Sequence, residues 1–296
     1  MDINPLISEI RRGLWSLDIT NIHAYTPVIQ NLLAGQAIAF PGVNKASSLM
    51  NILDNYGNIV RPAADGSVSI PPNSIAQVSM IGEVIKTGDF CTYGADEIVA
   101  ALYKAQENTN IDATVFKIDG PGGAVSAIDV FRDFAKNKTK PIIGLLGDAL
   151  SLHYWTAVSC CDYLISDGDV SPRFGSVGVV CSFMDTRKAL EEKGYIKVDV
   201  YADESEHKNE AFRLALDGKF ELIKSEHLSP LAVKFQESVR AGRPNLKEET
   251  GVLTGKTFYA DEALRLGMID DIGNIKTAIQ KARGLALSQT ISKSNK

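Results

Sequence analysis

Apolar and polar positions in this chain follow two periods, and the change from one to the other marks its elements. From Ile75 onward, short unbroken runs of Ile, Val, Leu and Ala alternate with stretches whose apolar residues recur at helical spacing. An unbroken run of strand length fits a strand covered on both faces, whereas helical spacing fits a helix with one buried side. The pattern predicts strands over residues 75–85, 113–118, 141–146 and 163–166, and helices over 95–106, 124–136 and 151–161. Such alternation argues for parallel strands joined by right-handed crossovers, which is an α/β fold. Farther on, residues 175–183 form another apolar segment, 186–194 read as a helix stopped by Gly194, and 197–202 alternate like a half-exposed strand. Residues 212–239 read as helical, with a break near Pro230.

The ends read differently. Thr26-Pro27, then Val28, Ile29, Leu32 and Leu33, then Gly35, supply a cap, a first-turn proline, an apolar face and a stop. Residues 47–56 suggest a second helix, and 61–73, with Pro62, Gly66, Pro71 and Pro72, a linker. The chain therefore divides into a helical arm and linker over 1–72, a main domain over 73–285, and a polar tail over 286–296 expected to be disordered. The arm serves as an adaptor, as an oligomerisation element, or simply as packing on the main domain.

Composition narrows the function classes. The 296 residues are 45% hydrophobic, enough for a sizeable core. A net charge of −5 without a long Lys/Arg block argues against nucleic-acid binding. The start, Met1-Asp-Ile-Asn-Pro, has no basic leader, and no run is long enough to cross a bilayer. A cytoplasmic location with no membrane partner is expected. Cys91, Cys160, Cys161 and Cys181 lack paired zinc-ligand spacing, so neither a metal nor an organic cofactor is expected.

Two strand–turn–helix junctions carry the candidate chemistry. The run Val115 to Ile118 ends in Asp119-Gly120-Pro121-Gly122-Gly123, where Gly122 and Gly123 can offer backbone N–H groups to an oxyanion. Pro141 to Leu146 leads through Gly147-Asp148 to Ser151, at the start of a predicted helix that continues Leu152-His153-Tyr154-Trp155. The pairing suggests acyl transfer. On the residues alone, the glycines also suit a plain tight turn, and Ser151 a helix cap. His153, two positions from Ser151 on one helix, points to another face and reads as a pocket or core residue.

Ile118-Asp-Gly-Pro-Gly-Gly123, Gly147-Asp148 with Ser151 and Tyr154-Trp155, Gly175-Ser-Val-Gly-Val179, His207-Lys208, and the run from Gly255 to Gly273 occur in an order that resembles signal-peptide-peptidase-A-type serine peptidases. That family belongs to the ClpP/crotonase superfamily. The resemblance implies a core of repeated β-β-α units with a mostly parallel sheet, and a Ser-Lys endopeptidase. Ser151 would be the nucleophile, Lys208 its base, Gly122 and Gly123 the oxyanion site, and Gly175, Ser176, Val177, Gly178 and His153 the substrate groove. Without a membrane anchor the chain resembles phage-encoded members that process capsid or scaffold proteins, and the family's rings imply a homo-oligomer.

A lysine acting as a base near neutral pH must be lowered roughly 3 units from about 10.4, which requires a dry site. Glu204, Glu206 and Glu210 surround Lys208 in sequence, and on composition alone it reads as a solvated loop lysine. Two departures leave alternatives open. Bulky Leu152 and His153 stand where the family has small residues, and an ungapped count from Gly147 places Leu152 at the nucleophile position. That alignment gives an inactive assembly protein. A crotonase-type acyl-CoA enzyme, with the same oxyanion logic, is the third reading.

Overall fold

The structure, a computed structural model, describes residues 14–17, 49–54, 56–61, 69–88, 92–183 and 185–294. The helix expected after Thr26 lies outside them. The strands are β1 (Leu14–Leu17), β2 (Met50–Leu53), β3 (Ser74–Ile81), β4 (Ile111–Gly120), β5 (Gly122–Ala124), β6 (Ile142–Leu150), β7 (Tyr163–Asp167), β8 (Arg173–Gly175), β9 (Val180–Cys181), β10 (Thr257–Tyr259) and β11 (Asp271–Gly273). The principal helices are α1 (Ala95–Glu107), α2 (Ile128–Asn137), α3 (Leu152–Cys160), α4 (Arg187–Glu192), α5 (Glu210–Leu216), α6 (Ser229–Gly242), α7 (Ala260–Arg265) and α8 (Ile275–Ser294).

An eight-stranded sheet runs β10-β8-β6-β4-β3-β2, with β7 beside β6 and β11 beside β7. Its interior pairs, β3–β4, β4–β6, β6–β7, β6–β8 and β7–β11, are parallel. The edge pairs β2–β3 and β8–β10 are antiparallel. The α/β class with a mostly parallel sheet therefore holds. Alternate residues of β4 serve two cores. Phe116 and Ile118 pack toward α1, α2 and α3, while Ala113 and Val115 join Ala278, Ile279 and Ala282 of α8 on the other face. Strands buried on both sides need apolar residues at nearly every position, which is why β4 and β6 read as unbroken runs.

One fork in the sheet positions the site. β6 pairs with β7 along Ile143–Leu146 and then with β8 at Ala149 and Leu150. The strand changes partners at Gly147 and Asp148, and its last residues project beyond β7.

Three elements differ from the sequence reading. Residues 47–56 contain β2 rather than a helix, because Ile52 and Leu53 face opposite sides and bury in separate clusters against β3. A short apolar run is ambiguous in period, and edge pairing decides it. Residues 197–202 form no strand and are almost entirely exposed. The polar tail is helical as far as Ser294, because α8 is anchored by buried Ala278 and Ala282 and simply continues outward. The long helical stretch does break near Pro230, where a π-helical turn over Lys224–Leu228 precedes α6 with Pro230 in its first turn, and it is also interrupted at Gly218, with φ +78°.

Candidate active site

Ser151 occupies the sharp turn between β6 and α3, with φ 56° and ψ −115°. That backbone is disfavoured for any residue with a side chain, and such strain persists only where the surroundings impose it. They do so here. The Ser151 N–H donates to the Gly175 carbonyl at 2.8 Å, and its own carbonyl accepts from Trp155 N–H at 2.9 Å. Below the turn, Trp155 stacks on Phe235 of α6 with ring centroids 4.5 Å apart, and the Tyr154 hydroxyl donates to the Met268 carbonyl at 2.9 Å. Strand, helix and two aromatic anchors thus fix Ser151, itself buried, at a strand-to-helix elbow at the N-terminus of α3.

The glycine turn is held as firmly. Val84 donates its N–H to the Gly122 carbonyl at 3.3 Å and accepts from Ala124 N–H at 2.9 Å. A Cβ on Gly123 would sit 2.0 Å from the Val84 carbonyl oxygen, so the backbones can approach only over a glycine. Gly122 has φ +123°, also glycine territory. Because Gly122 C=O and Ala124 N–H both turn toward Val84, strand alternation turns Gly123 N–H to the opposite edge.

The facing wall comes from β8. Gly175, at φ +113°, lies opposite Thr257 of β10, and a Cβ on it would meet the Lys256 carbonyl at 2.6 Å. Ser176, also left-handed at φ 52°, donates its N–H to the same Lys256 carbonyl at 2.9 Å. Val177 is buried, and Gly178 has open space where a side chain would go. The Arg173 guanidinium pairs with Asp148 at 2.6 Å, and Asp119 accepts the Asp148 N–H at 3.0 Å. Burial raises the Asp119 carboxyl above its ordinary range against the lowering effect of that hydrogen bond. The two turns are thereby tied at their bases.

The residues of this site lie partly within a match to the model of peptidase family S49, which covers residues 134–288, more than half of the chain. The chain belongs to peptidase family S49. The S49 chain is 28% identical to Protease 4 of Haemophilus influenzae over 72% of its own length and 35% of that protein. It is 25% identical to the head-tail preconnector protein of Enterobacteria phage P21, over 63% of its length and 37% of the relative. It therefore spans little more than a third of either. A membrane-bound stomatin-specific protease solved with a substrate peptide overlaps 71% of this chain and 80% of its own, at 11% identity and a TM-score of 0.44. A Hyphomonas neptunium enoyl-CoA hydratase/isomerase family protein overlaps 76% of this chain and 74% of its own, at 16% identity and a TM-score of 0.40.

Within the S49 chain, Ser151, Gly175 and Ser176 are joined directly by hydrogen bonds or sequence, and α3 packs on the glycine turn. The contact there is made by Leu152, whose Cδ2 lies 3.0 Å from the position a Gly123 Cβ would take. His153 is fully buried beneath Gly120, with its Nε2 2.5 Å from where a Gly120 Cβ would be. Burial pushes its imidazole down to about 3, slightly offset by the Gly82 backbone. It is neutral, and neither ring nitrogen has a well-aligned partner among the described residues. Lys208 differs from these buried residues in its exposure. It is exposed in the turn before α5, its N–H donating to Ser205 at 3.0 Å, and its side chain makes no ion pair or hydrogen bond among the described residues.

Sequence reasoning missed Val84 and Arg173, and had Asp148 only as part of the turn before Ser151, without its ion pair to Arg173. Gly82, directly after β3, was the available signal for Val84. Its N–H donates to the Asp119 carbonyl at 2.9 Å and turns the chain toward the glycines. Among the described residues no helix is long and apolar enough to cross a membrane, and no His/Cys/Asp/Glu group could hold a metal ion.

Proposed function

We propose that this chain is a Ser-Lys endopeptidase that cuts extended polypeptide, with residues 73–285 as its peptidase unit and the preceding arm used for docking. The observation that supports the reading is the imposed elbow at Ser151, whose helix packs through Leu152 on a glycine turn with its Gly123 amide directed away from Val84. The Ser151 Oγ attacks the scissile carbonyl as its proton passes to the Lys208 amine. The carbonyl oxygen becomes an oxyanion held by the Gly122/Gly123 turn. Collapse expels the amine product, which takes the proton back from Lys208, and water then releases the acyl group from Ser151 by the same sequence. Lys208 must move from solvent to the elbow, and closure of neighbouring subunits in a homo-oligomer, or of substrate over the loop, supplies both the approach and the drying. The likeness to a phage preconnector protein supports capsid or scaffold polypeptides as substrates, acted on in the host cytoplasm or the prohead, with no cofactor.

A second reading is favoured by one contact. Leu152 covers Gly123 with an aliphatic group, as an assembly protein without catalysis would have it. A fluorophosphonate probe separates the two. The peptidase labels at Ser151, and Ser151→Ala loses both the label and casein hydrolysis by at least about 10³-fold. Lys208→Met loses hydrolysis with its fold intact. An unlabelled wild-type chain whose casein background matches Ser151→Ala would leave only the assembly protein.

A further inference from the structure

A second, three-stranded sheet lies against the site, in the order β5-β1-β9. β1 is its middle strand. It pairs antiparallel with the glycine turn through Trp15↔Ala124, Ser16↔Gly123 and Leu17↔Gly122. On its other edge it pairs antiparallel with β9 through Leu14↔Cys181 and Trp15↔Val180. Among the described residues β5 and β9 have no other strand partner in that sheet, and the far side of β5 is bridged by Val84. They are two short edges separated by two strand spacings, roughly 9.6 Å, which is room for one extended chain and no more.

The peptidase reading asks the acyl side of a substrate to end at the glycine turn, and the occupant ends there. Antiparallel to β5, it runs from Leu14 toward Gly122, so its C-terminal end arrives at the glycine turn. The Gly123 N–H, directed away from Val84, faces the backbone of Ser16. β9 begins two residues after Gly178, so the outer edge of the slot continues the wall that holds Ser151 in place.

We infer that Leu14–Leu17 fills the seat of a substrate strand, so that the chain keeps its own groove closed until β1 leaves. The word substrate rests on the peptidase reading; the seat itself is backbone geometry. A tethered strand competes at an effective concentration near millimolar, and a groove free one-tenth of the time binds an outside peptide about tenfold more weakly.

Leu14→Cys tests the placement in the full chain. Directly opposed residues of an antiparallel pair have Cα atoms about 4.5 to 5.5 Å apart, within the span of a disulfide. Mild oxidation should join the new thiol to Cys181, with Leu14→Cys/Cys181→Ala as the control that forms no bridge. The oxidised chain should lose binding of a fluorescein-labelled Gly-Leu-Trp-Ser-Leu-Asp peptide, measured by anisotropy, and regain it on reduction. In the opposite direction, Trp15→Pro/Ser16→Pro removes one N–H from each edge of β1 and should bind that peptide at least about 10-fold tighter than wild type.

Failure to bridge, or equal peptide binding by the proline variant and wild type, overturns the inference. Ser151-dependent casein hydrolysis indifferent to either β1 change also overturns it, while leaving the peptidase reading in place. Bridging and tighter peptide binding without hydrolysis in any variant would support the seat and remove the peptidase.

Discussion

Individual residues in this site are constrained by backbone more than by side-chain partners. Gly123 is the clearest case, because a Cβ there would fall 2.0 Å from the Val84 carbonyl oxygen and also press on Leu152. Neither the strand-like bridge to Val84 nor α3 can retreat without opening the core. Gly123→Ala should therefore destabilise the chain by about 3 kcal/mol. Gly178→Ala, where nothing lies within 4 Å, should stay within about 0.5 kcal/mol. Urea midpoints for the two variants check the contrast, and similar values would mean that the glycine turn is looser than described. The tight turn at Gly122 and Gly123 was legible because a Pro-Gly-Gly after an apolar run supplies the backbone freedom such a turn needs. Val84 was not, since it acts through its amide and carbonyl, which every residue carries.

At the scale of elements, α3 links the elbow to the core. It is short, and all its residues except Ser159 are buried, so it lacks the amphipathic stripe of a surface helix. Its position is set by Trp155 against Phe235 of α6, nearly parallel at 4° between ring planes, and by Tyr154 against the turn after α7. Trp155→Ala should cost about 3 to 5 kcal/mol through the cavity it leaves. On the proposed function, peptide hydrolysis should fall with it even under conditions where the variant remains folded, because the elbow rests on that helix. Retained hydrolysis in a folded Trp155→Ala chain would uncouple the anchor from the elbow. The aromatic pair was visible in sequence, but its partner, far along the chain, was not. Residues 47–56 and 197–202 were misread for a related reason. Short apolar or alternating runs take their state from whether a neighbouring edge exists, and β3 offers one while the surface around Lys197 offers none.

For the molecule as a whole, buried His153 links stability to pH. In the unfolded chain its imidazole titrates near 6.5, whereas burial holds it to about 3 in the native state. Between these values the unfolded state binds the additional proton, so stability falls as pH falls through this window, by about 1.4 kcal/mol per pH unit at the steepest. Above pH 6.5 the contribution is flat. His153→Gln should remove that part of the slope, and parallel urea-midpoint profiles for the two chains between pH 3.5 and 6.5 would show that the imidazole is not buried neutral.

The order of strands and helices from Ile75 to Ile165, and the two small-residue turns, were determined by sequence alone, because hydrophobic periodicity and glycine requirements are local properties. The sequence also carried the family, through motifs in a fixed order. Only the tertiary structure decided how those pieces meet. It forks β6 between β7 and β8, ties Ser151 to Gly175, sets Leu152 rather than a small residue against Gly123, leaves Lys208 in solvent, and lays Leu14–Leu17 between β5 and β9. Those outcomes depend on which distant edges and cavities become available after folding, and no window of neighbouring residues contains that information.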